Sequence, residues 1–203
     1  MDRHAHWQGV YEDKGETEVS WFQEHPASSL ALIRDTGLGS DARIIDIGGG
    51  ASRLVDHLIE LGFRSIAVLD IASAALEQAR HRLGERAAQV EWLVADVTAW
   101  TPPARFDLWH DRAVFHFLTD PADRAAYAAT MAAAVPKGGH AIIGTFALDG
   151  PERCSGLPIR RYDADGLAAE FSRNFDPVAA MAEDHFTPAG KVQRFLFRRL
   201  RRR

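Results

Sequence analysis

Short apolar runs rich in isoleucine and valine alternate along the chain with segments whose apolar positions recur every three or four residues. That alternation is the pattern of parallel βαβ units, in which helices cover both faces of a buried sheet. Residues 42–47 read as a first strand and 52–61 as the helix behind it. A strand at 65–69 and a helix at 73–83 follow, then strands at 90–94 and 106–109. Residues 120–134 predict a helix rich in alanine, with Asp120 as its N-cap and Pro121 at its first position. Gly138 and Gly139 then open a strand at 140–146. The last third predicts a helix at 164–171 and strands at 178–183 and 192–200, a hairpin that places an antiparallel edge on a parallel sheet. Two helices, 3–11 and 26–36, precede the first strand, the second running from Pro26 to a stop at Gly37. These pieces, with Glu18–Phe22 between them, are too short for a domain and read as a cap over one sheet edge. The expected fold is a doubly wound, seven-stranded, mostly parallel α/β sheet. It forms a single domain over 1–203, with the helical cap at 1–40, the core at 41–147, and a substrate loop and closing strands at 148–203.

Composition narrows the class. A chain of 203 residues with 46% hydrophobic and 26% charged positions has enough apolar material for one core. No apolar run approaches the roughly 20 residues that span a bilayer, and the first residues carry no apolar leader, so the expected location is the cytoplasm. One cysteine, Cys154, excludes an internal disulfide and a cysteine-rich zinc site, and reads first as a small buried hydrophobe. A net charge of −4 argues against a general nucleic-acid binder, and the arginine-rich tail at 198–203 reads as a solvated terminus. His4 and His6 alternate in a terminus taken as mobile, and no acidic triad is evident, so no metal is expected.

The strongest chemical signal is Asp46-Ile47-Gly48-Gly49-Gly50, where an apolar strand enters a glycine turn and then a helix. Side chains there would block the tight turn and the approach of a ligand to backbone N–H groups at the helix start. Nicotinamide and flavin enzymes use similar turns, so two acids sharpen the reading. Asp70 ends the second strand, about 20 residues past the turn, where a carboxylate accepts from ribose hydroxyls. Asp96 ends the third, placed to accept from an adenine amine. Asp46-Ile47-Gly48-Gly49-Gly50, Asp70 and Asp96 together resemble the successive motifs of class I S-adenosylmethionine-dependent methyltransferases, with a Rossmann-like sheet, over roughly 44–146. More narrowly, Trp7, Tyr11 and Trp21 with the pair Asp111-Arg112 are similar to a small branch that includes the elongation-factor lysine methyltransferases. The resemblance implies S-adenosyl-L-methionine as cofactor, with Tyr11 and Trp21 closing over it and Arg53 facing its carboxylate. It adds Ile71, Val97 and His110 to the cofactor-binding set.

Methyl transfer asks a protein to align the acceptor, desolvate it and, where needed, remove a proton. Ligands of open α/β sheets lie beyond the carboxyl ends of strands, so the titratable, aromatic segment 109–117 is the expected reacting edge. His110 or His116 is the candidate base. Asp111 is a candidate to orient a histidine or bind a cation, and Arg112 to bind an acidic acceptor or pair with Asp111. The Gly- and Pro-containing loop 149–162 reads as a lid, with Arg160 and Tyr162 as substrate contacts. A small-molecule acceptor, methylated on N, O or S without a metal, is the leading expectation, and a protein lysine is the competitor. A NAD-dependent oxidoreductase shares the turn and Asp70 but leaves Asp96 unexplained, and Arg53 stands where its third glycine belongs. A non-catalytic cofactor-binding subunit is the remaining alternative.

Overall fold

A computed structural model describes residues 2–203. Seven strands, β1 (Arg43–Ile47), β2 (Ser65–Asp70), β3 (Val90–Val94), β4 (Leu108–Arg112), β5 (His140–Phe146), β6 (Phe175–Phe186) and β7 (Val192–Arg202), form one sheet. Its order is β3-β2-β1-β4-β5-β7-β6, with β1 to β5 parallel and β7 antiparallel to both neighbours. The strand order reverses at β1, whose carboxyl end lies between those of β2 and β4, so a crevice opens there.

Side-chain alternation along β1 and β4 divides the core in two. Ile45, Ile47 and Trp109 pack with Tyr127 and Met131 of α5 (Pro121–Ala134) and with Leu167 and Phe171 of α6 (Ala164–Phe171). Ile44 and Leu108 face the other way, onto α2 (Ala27–Arg34), α3 (Leu54–Glu60) and α4 (Ser73–Leu83). The cap helix α1 (Arg3–Asp13) lies against α4, and Asp2 caps its amino end by accepting from the Ala5 amide. No helix of the described residues is long and apolar enough to cross a membrane.

The expected fold is observed, with three local differences. The closing strands are longer than their apolar runs, because polar residues on solvent-facing positions continue the ladder. The loop 149–162 contains a two-residue-per-strand hairpin, Arg153–Cys154 against Leu157–Pro158. The third difference matters most for chemistry. The expected strand at 106–109 is β4 at Leu108–Arg112, so His110 and Asp111 lie inside a central strand and not in the loop after it. Successive residues of a strand point to opposite faces, and the two side chains part company.

Asp111 is fully buried on the α5 face. It accepts from the amides of Val114 and Phe115 at 2.8 and 3.1 Å and from the Tyr127 hydroxyl at 2.6 Å. Burial pushes its carboxyl up to about 6, against the pull of those donors. The expectation that Asp111 serves catalysis, or pairs with Arg112, is therefore corrected: its acceptors are spent bracing the turn that follows β4. Removing it leaves three buried donors unpaired. Asp111→Ala should lower unfolding free energy by about 3 kcal/mol, a shift that urea denaturation followed by circular dichroism would read directly.

Candidate active site

The glycine turn is built as its sequence suggests. Gly48 has φ +63°, and a Cβ there would stand 2.0 Å from the Val114 side chain. Gly50 has φ +42°, and its Cβ would approach Asp70 Oδ2 to 2.7 Å and the Tyr11 hydroxyl to 3.2 Å. Glycine thus holds the turn open and lets Asp70 and Tyr11 come close to the backbone.

Around the turn lie two adjoining cavities. The larger, about 350 Å³, reaches from Asp96 and Val97 past Asp70 and Ile71 to Arg112, and ends against Cys154 and Leu157 of the small hairpin. The smaller, about 50 Å³, lies behind the turn, with Asp46, Gly49, His110 and Ser29 in its wall. Tyr11, Trp21, Gly48 and Arg112 belong to the walls of both. Trp7, Tyr11 and Trp21 meet edge to face and roof the site, Trp7 also meeting the Phe117 ring. Eight of the expected site residues, Tyr11, Trp21, Gly48, Asp70, Ile71, Asp96, Val97 and Arg112, thus share the larger wall.

The two acids differ in setting. Asp70 is 5% exposed; its Oδ1 accepts from the Ala72 amide at 2.8 Å, and no cation among the described residues pairs with it. Burial, with Asp46 nearby, pushes its carboxyl up to about 7. Asp96 is more open; its Oδ1 accepts from the Thr98 amide and hydroxyl at 2.9 and 2.7 Å, and its Oδ2 lies 3.7 Å from Arg3. It caps a turn and faces the cavity at once.

His110 points to the α2 face. Its Nδ1 is hydrogen-bonded to Asp46 at 2.7 Å and its Nε2 to Ser29 at 2.9 Å, so both ring nitrogens are engaged. His116 is fully buried with its Nδ1 3.4 Å from the Phe146 amide. Burial, then the charge of Arg112, push its imidazole down to about 3. It is neutral and lies off both cavity walls, which corrects its expected role as a base.

Three binding expectations are corrected as well. Arg53 forms ion pairs with Glu16 at 2.6 Å and Glu24 at 3.5 Å and lies over the Phe22 ring; it is not itself a wall residue, although Glu16 and Phe22 line the smaller cavity. Its position just before α3 aims it back at the cap. Tyr162 is buried in the α6 core and donates to Glu170 at 3.0 Å. Arg160 is half exposed beside the same glutamate, at 3.6 Å. Both follow the hairpin and point away from it.

Sequence reasoning missed Arg3 and His6 on the cavity wall. The His6 Nε2 is buried and has no hydrogen-bond partner among the described residues. Cys154 is buried, as expected of a small hydrophobe, and also lines the cavity; burial pushes its thiol up to about 12. Among the described residues no three His, Cys, Asp or Glu side chains come together as a metal site.

Residues 44–139 match the family model for a methyltransferase domain. The chain is 25% identical over 108 residues to a mouse (Mus musculus) eEF1A lysine and N-terminal methyltransferase, and 32% identical over 105 residues to a trans-aconitate 2-methyltransferase of Azoarcus sp. strain BH72. These matches take in 53% and 51% of the chain but only 15% and 40% of the relatives' own lengths. Among solved structures, the N-methyltransferase NodS of Bradyrhizobium japonicum WM9, in complex with S-adenosyl-L-homocysteine, superposes with a TM-score of 0.73 at 17% identity, over 96% of this chain and 97% of that one. At that identity the likeness concerns the fold. Residues 44–139 are thus similar to a methyltransferase domain, and the chain as a whole shares the fold of solved methyltransferases.

Proposed function

We propose that the protein transfers the methyl group of S-adenosyl-L-methionine to a nucleophilic atom of a small molecule. The observation that carries this is Asp70, a buried carboxylate with no cation beside it among the described residues, on the wall of a cavity beside the open glycine turn. A buried charge without a partner is costly, and ribose hydroxyls would supply the missing donors. The residues present fit the cofactor. Asp70 would take the ribose and Asp96 the adenine amine, with Ile71 and Val97 against the ring. The methionine end would lie along Gly48 and Gly49 toward the smaller cavity. When bound, the cofactor supplies an electrophilic methyl group on a sulfonium.

The chain's own part is to bind, orient and dry the reactants. Trp7, Tyr11 and Trp21 exclude water from the roof. His110, tied at both nitrogens, holds Asp46 and α2 in place behind the turn and acts as a positioning residue. His6, a wall residue whose buried Nε2 meets no partner among the described residues, is the better candidate to receive a proton. A cavity roofed by the cap and bounded by the hairpin suits a small acceptor, and the carboxylic-acid substrate named for the Azoarcus relative supports that class.

Calorimetry with S-adenosylhomocysteine and with NADH tests the cofactor. The first should bind and the second should not; the reverse would make the protein a nicotinamide enzyme. Asp70→Ala should weaken S-adenosylhomocysteine at least about tenfold with the fold intact.

Asp70 also sets a pH dependence. The unfolded carboxyl loses its proton near pH 4, whereas the folded one keeps it to about pH 7. Between those values the folded state binds more protons, so stability falls as pH rises through the window and stays low above it. Asp70→Asn should therefore raise the stability of the ligand-free protein by about 2–4 kcal/mol at pH 8 and change it little at pH 4. Urea unfolding at the two pH values reads both, and a variant less stable than the parent at pH 8 would contradict the argument.

A further inference from the structure

The larger cavity wall carries two arginines: Arg3, beside Asp96 and paired with Asp123, and Arg112 on the opposite flank. Asp70 and Asp96 end β2 and β3, on one side of β1, where the proposed cofactor site uses both. They are the only carboxylates on that wall among the described residues. Arg112 ends β4 and leans the other way. Its guanidinium lies 4.2 Å above the Phe195 ring of β7, and it reaches Glu183 of β6, while Cys154 and Leu157 of the hairpin close the same end of the cavity.

Arg112 is not saturated by its protein partners. It donates to the Trp21 carbonyl at 3.0 Å and to Glu183 at a long 3.4 Å, and its Nε has no acceptor. A guanidinium carries five N–H donors in a fork that suits a carboxylate. Glu183 is itself shared, since it also accepts from Gln23 at 2.9 Å. The rest of that end is apolar or aromatic, with Trp7, Trp21, Phe117, Leu157 and Pro158 on the wall. An ammonium group there would meet Arg112 with no free acid beside it, next to the cation of the proposed cofactor.

From this placement we infer that Arg112 is a specificity-determining residue that anchors an ionised carboxylate on the methyl acceptor, so that the acceptor class is apolar carboxylic acids and not amines. The inference rests on the proposed cofactor reading, because it assigns Asp70 and Asp96 to the cofactor. Truncating one partner of such a buried pair leaves the other charge unpaired, which is what makes the anchor selective. Glu183 competes with the acceptor for the same guanidinium.

The test is calorimetry on the full chain saturated with S-adenosylhomocysteine, titrated with phenylacetate and with 2-phenylethylamine, probes of like body and opposite charge. Phenylacetate should bind at least about tenfold more tightly than the amine. Arg112→Gln should cost phenylacetate about tenfold or more while S-adenosylhomocysteine affinity changes less than about threefold. Glu183→Gln should raise phenylacetate affinity several-fold by releasing the guanidinium, a gain that a merely structural Arg112 would not give and that stands if Arg112→Gln fails to fold. Equal or tighter binding of the amine, no binding of phenylacetate, or indifference of phenylacetate to both substitutions would overturn the inference. Loss of S-adenosylhomocysteine binding in Arg112→Gln would overturn it too, by making Arg112 a cofactor ligand. Failure of the parent protein to bind S-adenosylhomocysteine at all would instead sink the cofactor reading beneath it.

Discussion

Asp70 stands at the carboxyl end of β2, buried, held by turn amides and with no cation beside it among the described residues. Everything near it makes sense as a consequence. Gly50 must lack a side chain because one would press on the carboxylate, and Tyr11 comes down onto the same spot from the cap. The ligand-free protein bears the desolvation of that group as lost stability, and a ligand that brings hydroxyl donors recovers it on binding. Stability given up at a site in exchange for affinity is a common trade in proteins that must bind tightly and still release. The acid is therefore informative because the fold alone gives it no reason to be there.

The same logic separates the two polar residues inside β4. A central strand of a parallel sheet is buried on both faces, and polar side chains survive there only when fully partnered. Asp111 meets this condition on the α5 face with three donors, and His110 meets it on the α2 face with Asp46 and Ser29. One strand thus carries a structural brace and a site-facing tether, one residue apart, because the backbone alternates. Their chemistry as residue types is equally suggestive; their faces decide.

That alternation explains which parts of the molecule were legible in the sequence. Residues 73–83, 90–94, 140–146 and 164–171 are predicted at their observed bounds because the local residue pattern agrees with the fold there. The glycine turn and its two acids are legible because they combine a backbone requirement with regular spacing. β4 starts two residues and ends three residues later than expected because His110 and Asp111 look like a loop, and only their partners, distant in sequence, make them strand. His116 and Tyr162 carry no local mark of their burial. His6 sits in a short terminal helix whose seat over the cavity depends on tertiary contact with α4, which no local pattern announces.

Arg53 shows how a residue can matter to a site without touching it. Its partner Glu16 also accepts from Arg82, which binds Asp56 at 2.7 Å and the Ala51 carbonyl at 2.9 Å. This chain of charges joins the segment between α1 and α2 to α3 and α4, directly behind the glycine turn. Arg82 is only 12% exposed and Asp56 10%, so the pairing is more than a screened surface contact. Two of the three aromatics that roof the cavity, Tyr11 and Trp21, flank Glu16 in the chain and are placed by that anchor. The arginine expected at the cofactor's carboxylate thus acts one step removed: it ties down the cap, and the cap closes the cavity over Asp70.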